Sequence, residues 1–115
     1  MTIQEQYENL EKTVRGYNPA ADFQHIRAAF EFAAEAHKDQ KRKSGEPYII
    51  HPLAVAQIVA EELRLDSESI EAALLHDVIE DTAATHEQVS KLFSPTIADL
   101  VEGVSKLTRI QYATK

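Results

Sequence analysis

The stretch FQHIRAAFEFAAEAH, residues 23–37, decides the fold. Wound at about 3.6 residues per turn, it places Phe23, Ile26, Phe30, Ala33, Ala34 and His37 on one face, the pattern of a helix packed along one stripe. The same period recurs on both sides. Upstream, Thr2 and Glu5 form a capping-box pattern ahead of Ile3, Tyr7, Leu10 and Val14, which predicts a first helix near 3–15. Gly16 and Asn18-Pro19 end it, with Pro19 suited to the first turn of the second helix, which stops near Lys38.

Downstream, residues 39–50 lack a helical period, and Ser44-Gly45-Glu46-Pro47 predicts a loop. Pro52 then opens a third helix with Val55, Ala56, Val59 and Leu63 inward, and Asp66 caps a fourth carrying Ile70, Ala73, Leu74 and Asp77. Thr85 with Gln88 caps a short fifth. Ser94-Pro95 starts a sixth with Ile97, Leu100, Val101 and Val104 inward, followed by a polar tail from Ser105 that frays. No stretch sustains two-residue alternation, and Tyr48-Ile49-Ile50 is too short to carry a sheet. The expected fold is all-α, one bundle of about six helices.

Composition narrows the function classes. A chain of 115 residues with 43% hydrophobic and 27% charged residues suits one globular domain. The absence of cysteine excludes a disulfide framework, a thiolate metal site and a cysteine nucleophile. No apolar run approaches the roughly 20 residues of a membrane span. Met1-Thr2-Ile3-Gln4-Glu5 has neither the basic start nor the apolar stretch of a signal peptide, so a soluble, cytoplasmic protein is expected. The net charge of −7 argues against broad binding to nucleic acid or an anionic membrane. That charge is uneven: Lys38, Lys41, Arg42 and Lys43 fall together with a single acid, Asp39. Such a run is either a solvated loop or a contact for an anion.

Of the five histidines, His25, His37 and His86 sit where packing or surface roles suffice. His51 lies at the mouth of a helix, just before Pro52, and His76-Asp77 follows the apolar run Ala72-Ala73-Leu74-Leu75. Adjacent helical side chains diverge by about 100°, so His76 and Asp77 share an ion only in a groove against a neighbouring helix. Imidazole with carboxylate suits a divalent transition metal such as Mn, Fe or Zn. A buried His–Asp pair with a structural role is the alternative. Glu80 and Asp81 add two carboxylates within four residues of Asp77, where a cation would relieve their repulsion. Their alternative role is to end the helix.

The runs AAEAHKDQKRKSGEPYIIHP (residues 33–52), LLHDVIEDT (74–82) and VEGVSKL (101–107) strongly resemble the N-terminal hydrolase domain of RelA/SpoT-type stringent-response enzymes, over about residues 24–112. The resemblance implies an HD phosphohydrolase domain that removes the 3′-pyrophosphate of (p)ppGpp, leaving GDP or GTP, commonly with manganese (Mn2+). It implies that His51, His76 and Asp77 are metal ligands, and that Glu80 and Asp81 position or activate the attacking water. Arg42, with Lys43 and Ser44 in the same loop, is implied at the nucleotide. The parent would be a bifunctional (p)ppGpp synthetase/hydrolase; a non-catalytic nucleotide-binding or regulatory module is the alternative.

The match has one departure. The family's fourth metal ligand, an aspartate in a Leu-Ala-Asp-Arg context, and the asparagine after it do not occur before Lys115. Asp99 does not substitute: taking Ile97 as 0°, it falls at about 200°, whereas Leu100, Val101 and Val104 fall near 300°, 40° and 340°. Residues 1–115 are therefore expected to form a partial HD domain, weak or inactive in hydrolysis, with uncovered apolar surface that favours self-association.

Overall fold

Side-chain caps set where most helices begin. The computed structural model describes residues 2–41, 43–82 and 84–103, and within these the side chains of all but Glu80 and Asp81. Helix α1 (Ile3–Tyr17) starts at a complete capping box: the Thr2 hydroxyl accepts from the Glu5 N–H at 3.1 Å, and the Glu5 carboxylate accepts from the Thr2 N–H at 2.9 Å. It runs two residues past the expected end, because an exposed Gly16 weakens a last turn without breaking it. Helix α2 (Phe23–Ala36) begins four residues after Pro19, which lies in a turn closed by the Ala21 N–H on the Asn18 carbonyl at 3.1 Å. Proline suits such a turn. Asp22 supplies the cap that Pro19 lacks, accepting from the His25 N–H at 3.1 Å.

Helix α3 (Ile50–Ile58) starts two residues before Pro52. Proline is tolerated throughout a first turn, where backbone N–H groups have no partner within the helix. The expected α-helical register then fails. Residues Val59–Leu63 form a π-helical turn that ends at Arg64 in the left-handed region, φ 48°. A π turn takes in an extra residue and so rotates the later side chains about the axis, and Leu63 leaves the buried stripe with 61% exposure.

Helix α4 (Ser67–Leu75), capped by Asp66 accepting from the Ser69 N–H at 3.0 Å, lies at the centre. It packs against α2 on one side and α3 on another, and Ile70 through Leu75 are all buried. Burying a leucine or isoleucine this fully stabilises by about 1.5–3 kcal/mol relative to exposure. A one-turn helix not expected from the sequence, α5 (Val78–Asp81), comes directly after it. Helix α6 (His86–Leu92) opens at the Thr85–Gln88 capping box, and residues 95–103 form α7, with the Ser94 hydroxyl accepting from the Ile97 N–H at 3.1 Å. Ile97 and Val101 are buried, but Leu100 is 41% exposed and not inward as expected. Asp99 is exposed, as its helical angle predicts. Val104 and the tail from Ser105 lie outside the described residues. Among the described residues no strand forms; Lys41 and Pro47 make only an isolated bridge.

Candidate metal centre

The centre forms where α4 stops. The α-helical run closes at Leu75, His76 is the C-cap, and Asp77 adopts φ −99°, ψ −3° before α5 begins. Helical spacing predicts Asp77 on α4, diverging from His76; the break swings it back instead. Its Oδ2 lies 3.1 Å from His76 Nε2 and 3.4 Å from His51 Nε2. His51 comes from the first turn of α3, and its ring centroid is 5.3 Å from that of His76. One ligand atom from each of the three residues thus lies within 4.8 Å of the other two.

A hydrogen bond fixes the His76 tautomer. Nδ1 is 2.7 Å from the Ala73 carbonyl, which only accepts, so Nδ1 carries a proton. Nε2 then faces a carboxylate, an arrangement that needs either a second proton or a shared cation. Burial pushes the Asp77 carboxyl up, but the hydrogen bond and charge of His76, the Tyr48 hydroxyl and the His51 charge outweigh it and hold the group below its ordinary value. The centre therefore keeps an anion between two imidazoles at the edge of the core.

In the sequence Tyr48 is only part of an apolar run too short for a sheet. In the structure its hydroxyl donates to Asp77 Oδ2 at 2.9 Å, and its ring lies 5.8 Å from that of His51 and 4.7 Å from that of His37. Nothing local signals this contact, which spans 29 residues; the nearest hint is an aromatic three residues before a candidate ligand. His37 fits a packing role. It is buried, with Nδ1 2.7 Å from Gln40 Oε1.

The basic loop stands beside this corner. The Tyr48 N–H donates to the Gln40 carbonyl at 3.1 Å, and with the Lys41–Pro47 bridge this closes the loop at its base. Gly45 has φ 90°, where a side chain would be strained. Lys43 and Ser44 are exposed, and Arg42 lies outside the described residues. Glu80 and Asp81 occupy the last two positions of α5, within four residues of Asp77. A second group, His86, Asp99 and Glu102, also brings three ligand atoms together, with His86 Nε2 3.0 Å from Asp99 Oδ1. It lies on the surface.

A helical bundle with a His-Asp pair at a helix break, faced by a histidine from a neighbouring helix, is the arrangement of an HD domain. The HD domain family matches residues 29–115, and the chain belongs to that family. It is 49% identical over 109 residues to the bifunctional (p)ppGpp synthase/hydrolase SpoT of Escherichia coli K12, covering 95% of this chain and 15% of the relative. To the guanosine-3′,5′-bis(diphosphate) 3′-pyrophosphohydrolase of Aquifex aeolicus it is 51% identical over 108 residues, 94% of this chain and 15% of the relative. A solved structure described as a metazoan ortholog of SpoT that hydrolyzes ppGpp matches with TM-score 0.67 and 38% identity, over 70% of this chain and 47% of that one. The chain spans about 15% of the length of these curated relatives. Among the described residues no helix is long and apolar enough to cross a membrane.

Proposed function

We propose that this chain carries a metal-dependent (p)ppGpp 3′-pyrophosphohydrolase site, working in the cytoplasm on a guanine nucleotide. The observation that carries the reading is the convergence of His51, His76 and Asp77 on one point beside a closed basic loop. Two imidazole nitrogens and one carboxylate oxygen fit a divalent transition ion, and Mn2+ is the ion the family resemblance favours. Such an ion, when bound, polarises a phosphoryl oxygen and acidifies a bound water.

The chain's own residues do the rest. His51 and His76 offer Nε2 to the ion, and the Ala73 carbonyl holds the His76 ring in the tautomer that permits it. Asp77 offers Oδ2. Glu80 and Asp81 accept the proton of the attacking water or orient it, and Arg42, Lys43 and Ser44 hold the nucleotide's anionic groups. Displacement at the 3′-pyrophosphate releases pyrophosphate and leaves GDP or GTP. The site's positive charge is local, consistent with a protein of net charge −7 that takes a nucleotide and not a nucleic acid.

Titration of the chain with Mn2+, followed by pyrophosphate release from ppGpp, tests the reading. Mn2+ binding at one site that His76→Ala removes is expected of this chain, with weak or no release; in a hydrolase domain that includes the family's later aspartate, release is Mn2+-dependent and Glu80→Gln or Asp81→Asn lowers its kcat. Arg42→Ala should chiefly weaken nucleotide affinity. Wild-type turnover in both Glu80→Gln and Asp81→Asn would show that neither acid serves the water.

A further inference from the structure

We infer that Tyr48 is a positioning residue that couples the basic loop to the metal centre. The inference rests on the metal-centre reading above. Tyr48 is held from three directions. Its hydroxyl donates to Asp77 Oδ2 at 2.9 Å, the same oxygen that faces the Nε2 atoms of His51 and His76. Its ring lies 4.7 Å from that of His37 and 5.8 Å from that of His51. Its backbone N–H donates to the Gln40 carbonyl at 3.1 Å, across the base of the loop that carries Lys41, Arg42, Lys43 and Ser44.

These contacts form one mechanical path. A carboxylate turns easily about its terminal torsion, and a donor on one oxygen removes that freedom and presets where a cation meets the oxygen. The donor here does not stand on an independent part of the scaffold. It belongs to the residue that closes the loop, opposite Gln40, whose side chain in turn holds the buried His37 at 2.7 Å. Packing alone calls only for the ring, and phenylalanine would keep both ring contacts. The hydroxyl adds a link from loop to ligand. Occupation of the centre therefore favours the closed arrangement of the loop, and a closed loop favours the centre, as any coupling between two sites must be reciprocal.

The test compares the full chain with its Tyr48→Phe, Tyr48→Leu and His51→Ala variants. Mn2+ binding is read from the electron paramagnetic resonance signal of the free ion. Wild type binds, and His51→Ala does not. Tyr48→Phe binds about tenfold more weakly, the loss typical of a partner that orients a ligand, and melts without metal at the wild-type temperature. The second readout is tryptic cleavage after Lys41, Arg42 and Lys43. Saturating Mn2+ slows this cleavage in wild type and not in Tyr48→Phe. Tyr48→Leu, which also lacks the ring, matches Tyr48→Phe in Mn2+ affinity if the hydroxyl is the link. Two results each overturn the inference: Mn2+ affinity in Tyr48→Phe within twofold of wild type, or cleavage equally Mn2+-dependent in both. A wild-type chain that binds no Mn2+ overturns the metal-centre reading itself, a failure visible before any variant is made.

Discussion

Asp77, half-buried just past the end of α4, and Glu71, buried within it, are carboxyls whose environments drive them in opposite directions. Asp77 has two imidazoles and a hydroxyl on it and is held below its ordinary value. Glu71 is 2% exposed, and its Oε1 has no hydrogen-bond partner. Burial raises Glu71 from 4.5 to about 7; His25 opposes this, while Asp22, Glu68 and Asp66 add to it. Burial is common to the two groups, so the partners decide the charge. A carboxyl buried with cationic partners is a ready ligand, whereas one buried without them holds its proton near neutral pH.

The largest expected effect breaks the Asp77 side of this comparison. Asp77→Asn keeps the shape but removes the anion, and should weaken Mn2+ binding by more than the ten- to hundredfold typical of losing an outer partner. A calorimetric titration within tenfold of wild type would place the ion elsewhere. Acid acts in the same direction: protons compete for His51 and His76, so Mn2+ affinity should fall as pH drops, measurable in the same titration between pH 8 and 6.

The next effect is on stability, at Glu71. Its folded-state value is raised, so the folded chain holds the proton more tightly than the unfolded chain. Stability is then fullest below pH 4.5 and is lost as pH rises to about 7, by up to about 3 kcal/mol. Glu71→Gln carries no such charge. Urea unfolding should show the variant more stable than wild type at pH 8 by about 2 kcal/mol, with the gap closing by pH 5. Parallel pH profiles for the two proteins would mean that Glu71 does not titrate in this range.

The smallest effect belongs to the surface group of His86, Asp99 and Glu102. Asp99 has 75% of its side chain exposed, so solvent screens its pairing with His86. Asp99→Asn should change stability by no more than about 0.5 kcal/mol and leave Mn2+ affinity at the buried centre unchanged. A clear loss of Mn2+ binding in Asp99→Asn would make the surface group the metal site.

The elements that the sequence disclosed are those whose cause is local. Thr2, Asp66, Thr85 and Ser94 each cap a backbone N–H three residues away, a pattern visible in a few letters. Pro52 marked the start of α3 only to within two residues, because its missing N–H is harmless anywhere in a first turn. The motifs also named the three residues that converge, His51, His76 and Asp77. What could not be read was the means of convergence. Helical spacing placed Asp77 on α4, whereas a break after His76 brings it round. The reach of Tyr48 to Asp77 spans 29 residues, and the π turn that includes the exposed Leu63 breaks the helical period itself, so no periodicity encodes either.

The closed base of the basic loop has a consequence in conformational entropy. Fixing the backbone of one residue costs about 1–2 kcal/mol, and a fully flexible run of charged residues would bear that cost when its anion arrives. Here the Lys41–Pro47 bridge, the Gln40–Tyr48 hydrogen bond and the turn at Gly45 restrict the run as part of folding. Loosening it, for instance by lengthening it with glycines beside Gly45, would leave every charge in place and, on the proposed function, still weaken the hold on a nucleotide, through disorder alone.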